Sequence, residues 1–244
     1  MSGDFPEQAA EMLQRLRGAT PRVHCLMNTV VQKPVADGLS ALGAIPSMTS
    51  SVDEVSGFVA KADALVVNLG TLDDQRRQAI RLALDTVQDK AKPWVLDPAH
   101  CDYSPPRATF AQELLARGPA VMRANASEFV LLSVPDTVVG VRTGASDLVR
   151  QGERSLAIEN GHALTAKVTG TGCLSGAIIA AFLAVERDAF QAATAAMLVV
   201  GVAAEIAGET AHGPGSFEPA FLDALDRIGP AEITKRARVA HAQD

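Results

Sequence analysis

The sequence predicts an α/β fold, a three-layer sandwich in which helices cover both faces of a mostly parallel sheet. Of its 244 residues 48% are hydrophobic but only 4% are aromatic, a mixture that suits buried strands under Ala-rich helices. Short apolar runs alternate with amphipathic stretches of ten or more residues, the pattern of strand–helix–strand units. Because no linker-like tract interrupts the chain, residues 1–244 are expected to form one domain, with 235–244 as a flexible tail.

The first half of the chain shows clear periodicity and clear end signals. Residues 6–17 carry apolar side chains at helical spacing, and 35–42 form a second helix that stops at Gly43, a C-cap. Residues 44–48 then form a short strand. The continuous apolar run 64–68 predicts a fully buried strand. A helix follows from 73 to about 90.

The second half repeats the alternation and then becomes helical. Strands are predicted at 94–96, 120–122 and 137–141, with a helix at 107–117 between the first two. Residues 155–158 are interpreted as an edge strand. From residue 173 to about 228 the chain is expected to be mostly helical, because long apolar, Ala-rich stretches dominate it.

Polar residues follow the predicted strands, at the points where the strands end. They are Asn68, Asp97, Arg123, Asn125 and Thr143. Ligands of parallel sheets bind beyond the carboxyl ends of the strands. The sequence therefore predicts that the chemistry lies at one rim of the sheet.

The segment Val168-Thr169-Gly170-Thr171-Gly172-Cys173 leads directly into the apolar stretch 174–185. A small-residue turn at a helix start presents unpaired backbone N–H groups and the positive end of the helix dipole, which together bind anions. The same field is expected to lower the pKa of the Cys173 thiol. Taken alone, Cys173 also fits a small buried hydrophobe.

Two acidic residues near the predicted rim allow both a structural and a functional interpretation. Asp97 closes a strand and either caps the next element or holds Mg²⁺. Glu128 either completes a capping box with Asn125 or joins Asp97 at the metal. Arg123 suits bidentate phosphate recognition. Thr143 and Gly144 form an ordinary turn when taken singly.

Composition and motifs argue against several classes of protein. A net charge of −6 and a pI near 5.4, with no basic face, speak against nucleic-acid binding. The five histidines show no ligand spacing, and three cysteines without metal-like spacing fit a reducing compartment. The N-terminus has no signal pattern, and the apolar runs are expected to be too short to span a bilayer. A cytoplasmic protein that binds no membrane is predicted.

Six segments, read together, resemble the hydroxyethylthiazole kinase family of the ribokinase-like superfamily. The similarity runs from about Pro21 to Gly208, and its motifs occur in the family's order. They are VHCLMNTVV at 23–31, LGAIPSM at 42–48, NLGTL at 68–72, WVLDP at 94–98, RANASE at 123–128 and KVTGTGC at 167–173.

This resemblance implies an ATP- and Mg²⁺-dependent kinase that phosphorylates the primary alcohol of 4-methyl-5-(2-hydroxyethyl)thiazole in thiamine biosynthesis or salvage. It also implies a homotrimer with sites at its subunit interfaces. The implied roles are as follows: substrate binding by Asn28, Met48, Gly70, Gly170 and Gly172; ATP binding by Arg123 and Thr143; Mg²⁺ binding by Asp97 and Glu128; and catalysis by Cys173, where most ribokinase-like enzymes have an aspartate.

The chain also departs from the family's pattern. A bulky turn, Ala99-His100-Cys101-Asp102-Tyr103, replaces a small glycine-rich one, and Lys33, Asp37 and Ile45 replace residues that are usually small or amide-bearing. After Glu128 the family inserts an extra helix that this chain lacks, which bears on ATP binding. Two alternatives stay open: a kinase of another small heterocyclic alcohol, such as a pyrimidine alcohol, and a non-catalytic homologue that binds thiazole or nucleotide.

Overall fold

A computed structural model describes residues 4–242, and a single mixed sheet of nine strands runs through this part of the chain. The strands lie in the order β2-β1-β3-β4-β5-β6-β7-β8-β9. Their bounds are β1 Arg22–Leu26, β2 Ile45–Ser47, β3 Ala64–Asn68, β4 Trp94–Asp97, β5 Val121–Asn125, β6 Val139–Thr143, β7 Asp147–Gln151, β8 Arg154–Ile158 and β9 Val239–His241.

Ten α-helices of the described residues cover this sheet. They are α1 Phe5–Ala19, α2 Gln32–Leu42, α3 Val55–Lys61, α4 Asp74–Asp89, α5 Pro105–Leu115, α6 Ala126–Leu132, α7 Thr171–Leu183, α8 Ala189–Gly208, α9 Pro214–Arg227 and α10 Pro230–Arg236. Short 3₁₀ turns occur at Thr29–Val31, Cys101–Tyr103 and Ala163–Lys167.

The two faces of the sheet carry two separate hydrophobic cores. Val23 and Cys25 of β1 face the core under α1, α2, α7, α8 and α9, while Leu26 faces the core under α3, α4 and α5. Successive side chains of a strand point to opposite faces, so this alternation is the expected signature of a sheet buried on both sides. The predicted α/β sandwich is confirmed.

Strands β1 to β6 are parallel, whereas β7, β8 and β9 join antiparallel. The register pairs Asn68 with Asp97 across β3 and β4, and Asn125 with Thr143 across β5 and β6. Because parallel strands share one carboxyl end, these polar residues lie along one rim. Strands β5 and β6 extend further than predicted, so Arg123, Asn125 and Thr143 lie within these strands and not after them.

The connection between β5 and β6 is short. It consists of the seven-residue helix α6 and a turn, residues 126–138, close to the dozen residues that a parallel crossover needs. Phe129 of α6 packs directly against Gly140 of β6, where an added Cβ would lie 2.6 Å from the ring. On β7, the next strand of the sheet, Arg150 pairs with Gly140 and its side chain is exposed, so this face of the sheet is open beyond α6.

The antiparallel end of the sheet differs from the sequence prediction. Strand β7 was not predicted; it forms a hairpin with β8 across Gly152, whose φ is +54°. Strand β8 is not an edge strand, because β9 pairs with it. The flexible tail expected from 235 onward is therefore wrong for residues 239–241, while residues 243 and 244, like Met1 to Gly3, lie outside the described residues.

Helix α8 is longer than the sequence suggested. By length and composition, this helix of 20 residues is long and apolar enough to cross a membrane. The expectation that the apolar runs are too short is therefore wrong for this helix. However, 72% of its apolar window is buried inside the protein. Helix α8 packs against α1, α7 and α9 as a core helix does.

Candidate active site

Four side chains from four elements meet at the rim in a group that we call the polar cluster: Asn28, Asn68, Asp97 and Cys173. Asn68 lies at its centre, because its Nδ2 donates to Asp97 Oδ2 at 2.7 Å and to Cys173 Sγ at 3.4 Å. Asn28 Nδ2 donates to Asn68 Oδ1 at 3.2 Å and approaches the same sulfur at 3.9 Å. Asn68 and Asp97 are fully buried, at 0% and 1% exposure.

Cys173 is the third residue of α7, because the helix begins at Thr171 with Gly170 as its left-handed N-cap. Its thiol pKa is raised to about 12, first by burial and then by the negative charge of Asp97, while Arg123 and the Asn68 hydrogen bond oppose the rise. The expectation of a lowered pKa is therefore wrong. The helix field is outweighed by the loss of water and by a carboxylate that the sequence could not place beside the sulfur.

Arg123 links the polar cluster to the helix start and to β6. Its guanidinium lies 3.9 Å from Asp97 Oδ1 and donates to the Thr143 hydroxyl at 3.3 Å. A Cβ on Gly172 would lie 2.5 Å from Arg123 Nη2, so only glycine lets the guanidinium cross the first turn of α7. Of the expected group of an arginine, two acids and a helix N-terminus, Arg123, Asp97 and the start of α7 meet here.

Beyond Arg123 a large cavity opens, which we call the cleft. It has a volume of about 640 Å³, within the range of small-molecule sites. Backbone turns and small residues line much of it, including Thr143-Gly144-Ala145, Asn160-Gly161, Gly172 and Gly201. Asp147 closes the turn by accepting from the Gly144 N–H at 2.9 Å, and burial raises the pKa of its carboxyl.

Glu128 is buried and lies in a different set of contacts from Asp97. Its two oxygens accept backbone N–H groups from Asn125, at 2.8 Å, and from His100, so the predicted capping box is present. Potential ligand atoms of Glu128, His100 and Asp102 lie within 4.8 Å of one another. No hydrogen bond or ion pair joins the carboxylates of Glu128 and Asp97 in the described part of the chain.

The bulky turn after Asp97 points most of its side chains away from the polar cluster. Cys101 is buried in the core under α4 and α5, whereas His100 is exposed and Tyr103 is 79% exposed. Neither aromatic side chain is therefore buried over Asp97. Burial raises the pKa of the Cys101 thiol to about 11, with Glu128 and Asp102 adding to the rise.

The remaining residues of the expected substrate pocket surround Asn28. Gly70 donates its N–H to Asn68 Oδ1 at 3.0 Å, and a Cβ there would lie 2.8 Å from Asn28 Cβ. Gly170 packs close to Val31, one turn beyond Asn28. Met48 directly follows the edge strand β2 and is partly buried, and no hydrogen bond connects it to the polar cluster.

Sequence reasoning missed two buried side chains beneath this pocket. The guanidinium of Arg76, 5% exposed, donates to the carbonyls of Met27 and, at 2.9 Å, of Asn68, so it ties together the ends of β1 and β3. His24, 0% exposed, joins β1 to the segment around Met48. A polar residue inside an otherwise apolar strand is the signal that could have singled out His24.

Comparison with known proteins shows the family to which this chain belongs. The sequence model of the hydroxyethylthiazole kinase family matches residues 13–137 and 134–230. The two matched segments meet at the short connection after α6, where the family's extra helix was expected. Together they cover most of the chain.

Several named relatives and a solved structure are similar over nearly the full length. A probable hydroxyethylthiazole kinase of Agrobacterium fabrum is 56% identical over 246 residues, covering 100% of both chains. A hydroxyethylthiazole kinase of Granulibacter bethesdensis is 38% identical over 258 residues, covering 95% of this chain and 94% of the other. The solved hydroxyethylthiazole kinase protein of Pyrococcus horikoshii OT3 superimposes with a TM-score of 0.93 at 35% identity, covering 97% of this chain and all of that one.

A more distant structure shows the same fold. A ribokinase-like superfamily protein of Enterococcus faecalis V583 has a TM-score of 0.67 at 14% identity, covering 94% of this chain and 96% of the other. The fold is thus ribokinase-like, and the relatives are named as phosphotransferases. By sequence and by fold, this chain is an enzyme that belongs to the hydroxyethylthiazole kinase family.

Proposed function

We propose that this protein transfers a phosphoryl group from ATP to the primary alcohol of 4-methyl-5-(2-hydroxyethyl)thiazole, in thiamine biosynthesis or salvage. One observation carries the proposal. An unbroken series of polar contacts runs from Asn28 through Asn68 and Asp97 to Arg123 and Thr143. It joins the residues expected to bind the thiazole at one end to the cleft of about 640 Å³ at the other, across the N-terminus of α7.

The cleft is the proposed ATP site. Arg123 and Thr143 would contact the phosphates, and the free N–H groups of residues 170–173 would neutralise charge on the transferred phosphoryl group. Phosphoryl transfer requires mainly positioning and charge neutralisation. The first turn of α7 is therefore the proposed meeting point of donor and acceptor.

The thiazole alcohol would bind on the other side of this turn. Asn28 and Gly70 would line its pocket, and the backbone amides of Met48 and Gly170 would contact the ring, with Gly172 close to the reacting oxygen. Cys173 would face the hydroxyl. Because its thiol pKa is raised to about 12, it holds its proton near neutrality and contributes little as a base. We assign it mainly an orienting role, since the alcohol need lose its proton only late.

The residues present fit a Mg²⁺ ion carried by the nucleotide. Mg²⁺ keeps several waters and uses one or two carboxylates together with phosphates, and Asp97 and Glu128 offer two buried carboxylates at the same rim. These two residues would hold the ion. When bound, it would neutralise phosphate charge and align the leaving group.

The wider assignments are proposals of the same kind. One continuous sheet supports a single kinase domain over residues 1–244. Exposed apolar side chains, among them Val30, Ile45 and Phe58, support a homotrimer with shared sites. A net charge of −6 argues against a nucleic-acid partner, and three free cysteines fit a reducing, cytoplasmic compartment.

The direct test is ATP consumption with the thiazole alcohol, with the phosphorylated product identified by mass. Turnover with Mg²⁺ or Mn²⁺ is expected, and no turnover under any metal condition would reject the proposal. A panel of small heterocyclic alcohols, including a pyrimidine alcohol, tests the alternative substrate class. Calorimetry that finds thiazole binding without ATP binding would instead favour a non-catalytic homologue.

A further inference from the structure

His24 is a buried polar side chain that the proposed reaction does not use. It lies in the middle of β1, opposite Ser47 in the register with β2, and it is completely buried. Its neighbours in the strand, Val23 and Cys25, are buried apolar residues. A buried imidazole must satisfy two ring nitrogens, and both find partners here, one on the last residue of β2 and one just after this strand.

The two hydrogen bonds of His24 bracket Met48. Nδ1 lies 2.8 Å from the Ser47 hydroxyl, and Nε2 lies 3.1 Å from the Thr49 carbonyl oxygen. A carbonyl can only accept, so Nε2 carries the proton and Nδ1 accepts from Ser47. One neutral tautomer thus satisfies both bonds. Burial lowers the pKa of His24, which keeps the ring in this form near neutrality.

The other contacts of this segment are a short strand pairing, the packing of the Met48 side chain against the core and polar contacts of the Thr49 hydroxyl. β2 has three residues and pairs only with β1. The segment continues with the Thr49 hydroxyl, which donates to Glu54 at 3.1 Å on the exposed side. Phe58 of α3 packs against the other side of the imidazole, at 5.7 Å between ring centroids. His24 is therefore the buried anchor of residues 47–49.

We infer that His24 is a positioning residue for the thiazole alcohol: it holds the backbone of Met48 in the orientation that recognises the ring. This inference rests on the proposed function, because Met48 is a substrate contact only if the thiazole binds there. A lost anchor would let the Met48 amide move, and misplacement of a bound substrate by about 1 Å is enough to slow an oriented reaction by about two orders of magnitude. The cleft lies on the far side of Arg123, so nucleotide affinity would not change.

The test compares His24→Leu with His24→Gln and with Ser47→Ala. Leucine removes both hydrogen bonds and keeps an apolar strand position, whereas glutamine can supply one donor and one acceptor. We expect His24→Leu to raise the KM and the calorimetric Kd of the thiazole alcohol about tenfold or more, with the KM of ATP within twofold of wild type. Glutamine should restore most of the affinity, and Ser47→Ala should fall between the two.

A second readout needs no substrate. Hydrogen exchange of a peptide covering residues 45–54 should be faster in His24→Leu, while exchange elsewhere and the thermal midpoint change little. Unchanged exchange, or equal rises in the KM of both substrates, would overturn the inference. Wild-type protein that fails to bind the alcohol, with exchange still faster in His24→Leu, would reject the proposed function and the substrate role while keeping the anchor.

Discussion

The polar cluster and the cleft lie on opposite sides of the first turn of α7, and they are built differently. In the cluster, Asn28, Asn68, Asp97 and Cys173 bond to one another, with Asn68 and Asp97 buried and Asn28 and Cys173 partly exposed. The cleft, about 640 Å³ in volume, is lined largely by turns and small residues. We therefore expect substitutions in the cluster to affect the chemical step, and substitutions at the cleft to affect binding.

The largest effect is expected for Asp97→Asn. The change keeps the shape of the side chain but removes its negative charge and replaces one carboxylate oxygen with an NH₂ donor. Both Asp97 oxygens accept hydrogen bonds, from Asn68 Nδ2 and from the Ala99 N–H. Two donors would then face each other. Steady-state kinetics should show kcat lowered about 100-fold or more, with a smaller change in the KM of ATP.

The matched control is Asp85→Asn, which removes an exposed carboxylate on α4, 62% accessible and paired with Arg117. Its kcat should equal that of wild type. If Asp97→Asn lost only nucleotide affinity and kept its kcat, the proposed division between cluster and cleft would be contradicted.

The next largest effect is expected at the boundary between the two regions. An alanine Cβ at position 172 would lie 2.5 Å from Arg123 Nη2 and would displace the guanidinium. Overpacking of about 1–3 kcal/mol should raise the KM of ATP about tenfold. Gly57→Ala in α3, where a Cβ meets nothing within 4 Å, is the control. If only the KM of the thiazole alcohol rose tenfold, the assignment of Arg123 to ATP binding would be contradicted.

Substitutions of Cys173 test how far the rate of phosphoryl transfer depends on a general base. Cys173→Ala should slow turnover by no more than about 100-fold, the lower end of what a general base supplies. Cys173→Asp should retain or exceed wild-type turnover, because Asn68 would donate to the new carboxylate while Asp97 raises its pKa. Equal and complete loss in both variants, at unchanged thermal midpoints, would contradict the weak-base argument.

The smallest effect concerns pH. With its pKa at about 12 instead of 9.0, Cys173 should react with iodoacetamide at pH 8 at least roughly 100-fold more slowly than a free thiol. The folded pKa is the higher one, so the neutral thiol contributes stability below about pH 9, and this contribution is lost as pH rises toward 12. Peptide mass mapping and urea unfolding of wild type and Cys173→Ala check both points. Rapid alkylation of Cys173 near neutral pH would contradict the raised pKa and support a thiol that is largely ionised.

Much of the parallel half was predictable from sequence. The strand 64–68 and the capping box at Asn125 and Glu128 are present as predicted, because burial and capping are local patterns that a short window contains. Strand β7 was missed because its half-buried residues show no strong alternation. Strand β9 could not be predicted from its exposed residues, since it is ordered by pairing with β8, some 80 positions earlier.

By itself the amino-acid sequence determined which residues reach the rim: parallel strands bring their carboxyl ends together, and each polar residue near a strand end follows that rule. Only the tertiary structure decided what those residues meet there. Asn68 bonds both Asp97 and Cys173, Asp97 raises the thiol pKa, and Glu128 lies beside His100 and Asp102 instead of bonding Asp97. Burial and charge act through distances in space, which are set by packing between elements far apart in the chain.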